Sequence, residues 1–213
     1  MNTLDYGLIG NCKSAALVSK KGSLDWCCLP DFNSASVFAK LLDEKKGGNF
    51  SFEVGENYST SQKYLWQTNI LCTTFSDGEN AFQVIDFMPR YREDNGSFYT
   101  PPDVVRFVYL LQGTPAFKVN YEPRLNYAKE KTYTENHRDY LKSFTREGKY
   151  DSLFLYTSFD LDQVLNGEEI TLTQNAYFLV GYHEKLRKQS LERAYLKFQR
   201  TKTNWMNRSL IQI

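Results

Sequence analysis

The sequence predicts an all-β protein: antiparallel sheets packed face to face, with one short helix and a C-terminal helix. Two observations carry the prediction. Apolar residues recur with a period of two through most of the 213 residues, in runs dominated by Thr, Tyr, Phe and Val, which suit a pleated, half-buried surface. Turn dipeptides separate these runs at short intervals, giving roughly a dozen strands. Alternating strand–helix units are missing, which excludes Rossmann and TIM architectures.

In chain order, Lys21-Gly22 is the first turn, and the strand that follows, through Trp26, Cys27 and Cys28, is stopped by Pro30, which cannot donate to a ladder. Ser36 to Leu42 has apolar residues at helical spacing and ends before Gly47-Gly48, so it is predicted as a helix of two turns. Phe50, Phe52 and Val54 alternate with polar residues as a strand. After the Asp77-Gly78 turn come Phe82, Val84, Ile85 and Phe87, and after Asn95-Gly96 the run Val104 to Leu111, broken by Arg106. Asn166-Gly167 precedes the strand Ala176 to Tyr182. From Glu184 onward the period changes: Leu191, Ala194, Tyr195, Phe198 and Trp205 fall on one face of an amphipathic helix, with Ser190 as its N-cap. The opposite face is basic, and the apolar stripe must pack back on the sheet or against something that follows. The expected division is a β domain over 1–183 and a linker helix over 184–213.

Composition limits the function. With 26 Lys+Arg against 25 Asp+Glu there is no basic surplus for nucleic acid or an anionic membrane. No apolar run is long enough to span a bilayer, and the start lacks the basic and apolar segments of a secretory signal, so the expected location is cytoplasmic. The four cysteines, Cys12, Cys27, Cys28 and Cys72, lack the two-residue gap of a zinc knuckle and are expected to be reduced thiols. No metal or cofactor is expected.

Candidate chemistry is sparse. His137 and His183 sit in polar or strand-end positions without an orienting partner. Asp160 and Asp162, on a strand, would face one side roughly 6.5–7 Å apart, a separation compatible with inverting glycoside hydrolysis. The alternation Phe159-Asp160-Leu161-Asp162 is equally that of any solvent-facing strand, and no catalytic residue is assigned. The segment from Leu24 to Ser34 is the most distinctive: Asp25, Trp26, Phe32, Asn33 and Ser34 are expected to cluster around the loop after Pro30. Aromatic rings beside carboxylate and amide groups can stack on sugar rings and bond their hydroxyls, or can plug the end of the sandwich.

Several ordered motifs carry a resemblance. Asp5-Tyr6-Gly7-Leu8-Ile9-Gly10-Asn11-Cys12, Ala15 to Ser19, Gly22-Ser23-Leu24-Asp25-Trp26, Gly47-Gly48, Tyr64 to Phe75, Val84 to Arg90, and Val119 to Tyr127 with Glu122-Pro123-Arg124 resemble the N-terminal domain of bacterial glycoside hydrolase family 15. That family includes glucoamylases, glucodextranases and glucoamylase-type trehalases. The resemblance implies a β-supersandwich, a linker helix, and an (α/α)6 barrel, absent from this sequence, whose two glutamates hydrolyse α-glucosidic bonds with inversion. It implies the barrel as partner and an α-glucoside as the parent enzyme's substrate. Leu191, Tyr195, Phe198 and Trp205 would then face the barrel, and the isolated chain would self-associate through exposed apolar surface. Asp31 and Asn33 stand where the family commonly has Arg and Asp. Beyond Trp205 the pattern breaks off within the linker, as in a truncated or frameshifted reading frame. Two other readings are a free-standing sugar-binding module using the Trp26 loop and a small enzyme using Asp160 and Asp162.

Overall fold

A computed structural model gives the structure of residues 5–209; the expected linker's last residues, 210–213, and residues 1–4 of the expected signal-free start lie outside it. The strands run, in order, β1 (Tyr6–Gly10), β2 (Ala15–Ser19), β3 (Leu24–Cys28), β4 (Ser36–Phe38), β5 (Phe50–Glu53), β6 (Ser59–Tyr64), β7 (Leu71–Ser76) and β8 (Ala81–Phe87). They continue with β9 (Tyr91–Arg92), β10 (Phe98–Tyr99), β11 (Asp103–Gln112), β12 (Ala116–Tyr121), β13 (Thr132–Asn136), β14 (Leu141–Thr145), β15 (Ser152–Thr157), β16 (Glu169–Thr171) and β17 (Ala176–Tyr182). Three helical elements are α1 (Leu125–Ala128), α2 (Leu161–Asn166) and α3 (Leu191–Ser209).

Two large antiparallel sheets result, with β9 and β10 as a small separate ribbon. One sheet has the order β1-β2-β3-β5-β12-β16 with β4 on β3, and the other β13-β14-β15-β17-β11-β8-β7-β6. Alternation fixes the layering. Phe50 and Phe52 of the first sheet meet Phe75, Phe82 and Phe178 of the second in the buried space between them. Phe75 and Phe82 stack with centroids 4.7 Å apart, and Phe52 meets Phe117 edge-on at 5.3 Å. Each such ring contributes about 1.5–3 kcal/mol by burial.

The outer face of the second sheet is also apolar, with Ile85, Phe87, Val105, Phe107 and Leu179. Helix α3 covers it. Ala194 and Phe198 are buried there, Phe198 lying 5.9 Å from the Phe87 ring. Lys197 donates to Asp103 at 3.0 Å, and Thr201 accepts from the Arg90 amide. The predicted N-cap is present: Ser190 Oγ accepts from the Arg193 amide.

Two expectations are corrected. Ser36 to Leu42 is not a helix: Ser36–Phe38 is strand β4, and a turn follows in which the Leu42 and Asp43 amides donate to the Ala39 carbonyl. An apolar run this short is compatible with either period, and Cys27 and Cys28 of β3 offer a ladder partner that an isolated two-turn helix lacks. Gly47 and Gly48 close this turn at a place where a side chain would strike the Ala39 and Glu122 carbonyls, and Gly48 has a φ of 66°. Asp160 and Asp162 do not lie on a strand either. Asp160 is the N-cap of α2, its carboxylate accepting from the Asp162 and Gln163 amides at 2.9 and 3.0 Å, and Gly167 ends the helix at a φ of 64°. The Asp160-x-x-Gln163 spacing is that of a helix start.

Candidate functional site

One end of the sandwich is built from turns that the sequence places far apart. Asn11, fully buried, organises it: its side-chain oxygen accepts from the Lys13 and Ser14 amides, and its Nδ2 donates to the Pro101 carbonyl at 2.8 Å. Ser14 in turn donates to the Cys28 carbonyl at the end of β3. The loop after Pro30 lies against this turn, because the Phe32 amide donates to the Lys13 carbonyl at 2.9 Å. The loop is closed internally by Ser34, whose amide donates to the Asp31 carbonyl and whose hydroxyl accepts from the Asp31 amide.

The predicted constellation is only partly assembled. Phe32, Asn33 and Ser34 come together on the loop, with Phe32 61% exposed. Asp25 does not belong to it: it is buried on β3, accepting from Ser23 Oγ at 2.5 Å and from the Tyr6 hydroxyl at 3.1 Å. Burial, then the Asp25 charge, push the Tyr6 hydroxyl up to about 12. Trp26 is half-buried in mid-strand opposite Leu17. The reason is pleat geometry, since residues preceding Pro30 stay in the ladder and only those after it are released to the loop.

The helix stripe is also relocated. Ala194 and Phe198 are sealed against the chain's own sheet, Leu191 and Trp205 are half-buried, and Tyr195 is exposed. The expected open apolar stripe is therefore largely closed by the fold itself, leaving Tyr195 and Leu196 at its edge.

The segment Arg124 to Ala128, at the end of the Val119 to Tyr127 motif, joins this end of the molecule. Asn126, Tyr127 and Ala128 all have left-handed backbones, with φ of 52°, 60° and 56°. None is glycine; Asn adopts this conformation more readily than most residues, whereas at Tyr127 and Ala128 it costs about 1–2 kcal/mol each. Asn126 is anchored by Nδ2 donating to the Lys149 carbonyl, Leu125 is buried, and the Arg124 amide donates to the Val37 carbonyl. The turn thereby holds Tyr127, 46% exposed, so that its hydroxyl donates to the Ser34 carbonyl at 3.2 Å. Beside it Arg124 pairs with Glu122. Backbone strain held in place by surrounding contacts is a mark of functional surfaces. The combined face offers two aromatic rings, an amide, and an ion pair, which suit contact with hydroxyl-rich or protein surfaces. Only the Glu122-Pro123-Arg124 motif signals it in the sequence.

The buried carboxylates Asp86, Asp103 and Asp151 are each held by partners. Asp86 is buried opposite Arg106, which donates to both of its carboxylate oxygens, at 2.8 and 3.2 Å; burial pushes its carboxyl up, while Arg106 opposes that shift. Asp103 is likewise pushed up by burial and paired with Lys197. Asp151 accepts from the Ser152 amide and faces His183 at 3.9 Å. Each of these carboxylates is engaged in holding the structure. Among the described residues no group of three His, Cys, Asp or Glu side chains could hold a metal ion, and no helix is long and apolar enough to cross a membrane.

The fold is an all-β sandwich domain in which the loop after Pro30 and the left-handed turn at Asn126 to Ala128 meet on one face. The chain belongs to the family of trehalase-like N-terminal domains, whose model matches residues 4–157. It is 30% identical over 209 residues to the trehalase of Thermoplasma volcanium, covering 94% of this chain and 32% of that protein. The trehalase of Thermoplasma acidophilum is 30% identical over 198 residues, 89% of this chain and 33% of that protein. Trehalase 1 of Sulfolobus acidocaldarius is 43% identical over 84 residues, 39% of this chain and 14% of that protein. The chain spans about a third of the length of the two Thermoplasma relatives. No solved structure matches.

Proposed function

We propose that this domain is the non-catalytic N-terminal part of a family 15-type glycoside hydrolase. An (α/α)6 barrel carries the two glutamates and cleaves an α-glucosidic bond with inversion. The domain supports that barrel and helps shape its entrance with the surface formed by Phe32, Asn33, Ser34 and Tyr127. The observation that carries this reading is the family match to trehalases over a chain whose buried Asp86 and Asp103 are consumed by structural partners. The strained turn at Asn126 to Ala128 supports it, since strain is retained where a fixed surface is needed.

The purified chain is expected to hydrolyse none of trehalose, maltose and isomaltose. Joined in frame to the C-terminal two thirds of the Thermoplasma volcanium trehalase, it is expected to restore a trehalose hydrolysis that neither piece shows alone. Turnover by the unaided chain, abolished by Asp160→Asn or Asp162→Asn, would overturn the proposal.

A further inference from the structure

A cleft of about 910 Å³ opens beside the second sheet and shares no residue with the loop surface described above. Its size falls in the range of about 300–1,000 Å³ usual for small-molecule sites. Three pieces of chain enclose it: the β13–β14 turn with Asn136 and Arg138, the start of α2 with Asp160 and Asp162, and the segment from Lys185 to Gln189 that leads into α3. Tyr156, Tyr177 and Phe159 line it from below.

The walls are tied to one another. Asn136 Nδ2 donates to Asp162 Oδ1 at 2.7 Å, joining the turn to the helix. The Tyr156 hydroxyl accepts from the Leu186 amide at 2.8 Å, pinning the third wall to the aromatic floor. Tyr140 packs 5.6 Å from Tyr156, and the Lys185 ammonium sits over the Tyr140 ring.

The rim carries four cations (Arg138, Lys185, Arg187 and Lys188) against three carboxylates (Asp139, Asp160 and Asp162). Signs this nearly balanced give no field to select a highly charged ligand. They do give donors and acceptors beside the Tyr140, Tyr156 and Tyr177 rings. That combination recognises a ring with hydroxyls around its rim and C–H groups on its faces.

We infer that this cleft is an ancillary saccharide site that takes an α-glucoside of two or more rings. The choice of sugar rests on the proposed function; the site itself rests on the cleft. It gives Asp160 and Asp162 a place beside a ligand as rim groups, with no role in bond cleavage.

The experiment is a titration of the intact isotope-labelled chain, followed by NMR, with maltoheptaose, with trehalose, and with inorganic phosphate as the anion probe. Saturable binding of a saccharide is expected, with shifts at Tyr140, Asp162 and Lys185. Lys185→Ala and the pair Asn136→Ala/Asp162→Ala, all at exposed positions, should each weaken it tenfold or more with the melting temperature unchanged. Phe32→Ala should leave it intact. The inference is overturned by no saturable saccharide binding, by binding that survives both cleft variants, by loss in Phe32→Ala instead, or by a response to phosphate alone. Hydrolysis by the unaided chain would defeat the proposed function and leave this binding result readable on its own.

Discussion

Arg106 is the largest of the fully buried side chains in the described structure, and its position explains how the two sheets lock together. It lies opposite Asp86 in the β11–β8 ladder and reaches across to the first sheet side, donating to the Phe50 and Gly22 carbonyls at 2.5 Å each. Its guanidinium also rests over the Phe50 and Phe52 rings, 4.8 and 4.9 Å from their centroids. Removing it would strand the Asp86 charge in the core. Arg106→Met is therefore expected to cost about 3–5 kcal/mol in urea unfolding. Arg106→Met/Asp86→Leu should recover much of that loss, because an ion pair replaced on both sides leaves no buried charge. A double variant as unstable as the single one would assign the loss to the bonds with Phe50 and Gly22. Half of this pair is visible in the sequence: Arg106 interrupts an apolar run that otherwise reads as a buried strand. Its partner is not, because period-two alternation says which face a residue takes and nothing about which strand lies beside it.

At the scale of elements, long periods are legible and short ones are not. Strand β17 can be read from the sequence as a continuous apolar run buried on both faces, and helix α3 from a stripe repeated over many residues. Ser36–Phe38 and Asp160–Gln163 mislead in opposite directions, since three or four residues satisfy both periods and only tertiary pairing or capping decides. The candidate surface is harder still. Tyr127 reaches the face that carries Phe32 through a left-handed turn of non-glycine residues, and no composition signal foretells that conformation. Helix α3 shows its apolar stripe in the sequence but not its anchor. Helical period marks Lys197 as one more basic residue; only the buried Asp103 at the start of β11, which accepts from the Lys197 ammonium at 3.0 Å, makes it one. Lys197→Ala is expected to cost about 3–5 kcal/mol, the usual result of leaving one member of a buried pair alone. Hydrogen-exchange protection should fall first in α3, with the sheets still protected, and Lys197→Ala/Asp103→Asn should restore much of it. Equal loss of protection in helix and sheets would show that α3 and the sandwich unfold as one unit.

For the molecule as a whole, the titration of buried groups sets how stability depends on pH. Burial pushes the Cys72 thiol from its ordinary 9.0 up to about 12, with the Asp86 charge adding to the shift and Lys63 opposing it. Cys27 and Cys28 are pushed upward by burial too, and Tyr177, buried under α3, rises from 10.0 to about 12. The folded chain therefore keeps these protons well above pH 9, whereas the unfolded chain releases its thiol protons near 9.0 and its phenol protons near 10.0. Above about pH 9 the unfolded state binds fewer protons than the folded one, so stability falls as pH rises; below that it is flat with respect to these groups. Each such proton steepens the fall by up to about 1.4 kcal/mol per pH unit. The urea midpoint is expected to hold from neutral pH to about 8.5 and to drop steadily above about 9. Cys72→Ala should make the drop between about pH 9 and 10 shallower, because one of the buried thiols no longer contributes there. An unchanged slope in that variant would mean that Cys72 ionises as readily in the folded chain as in the unfolded one, and that the sheet around it opens far more often than its burial on β7 implies.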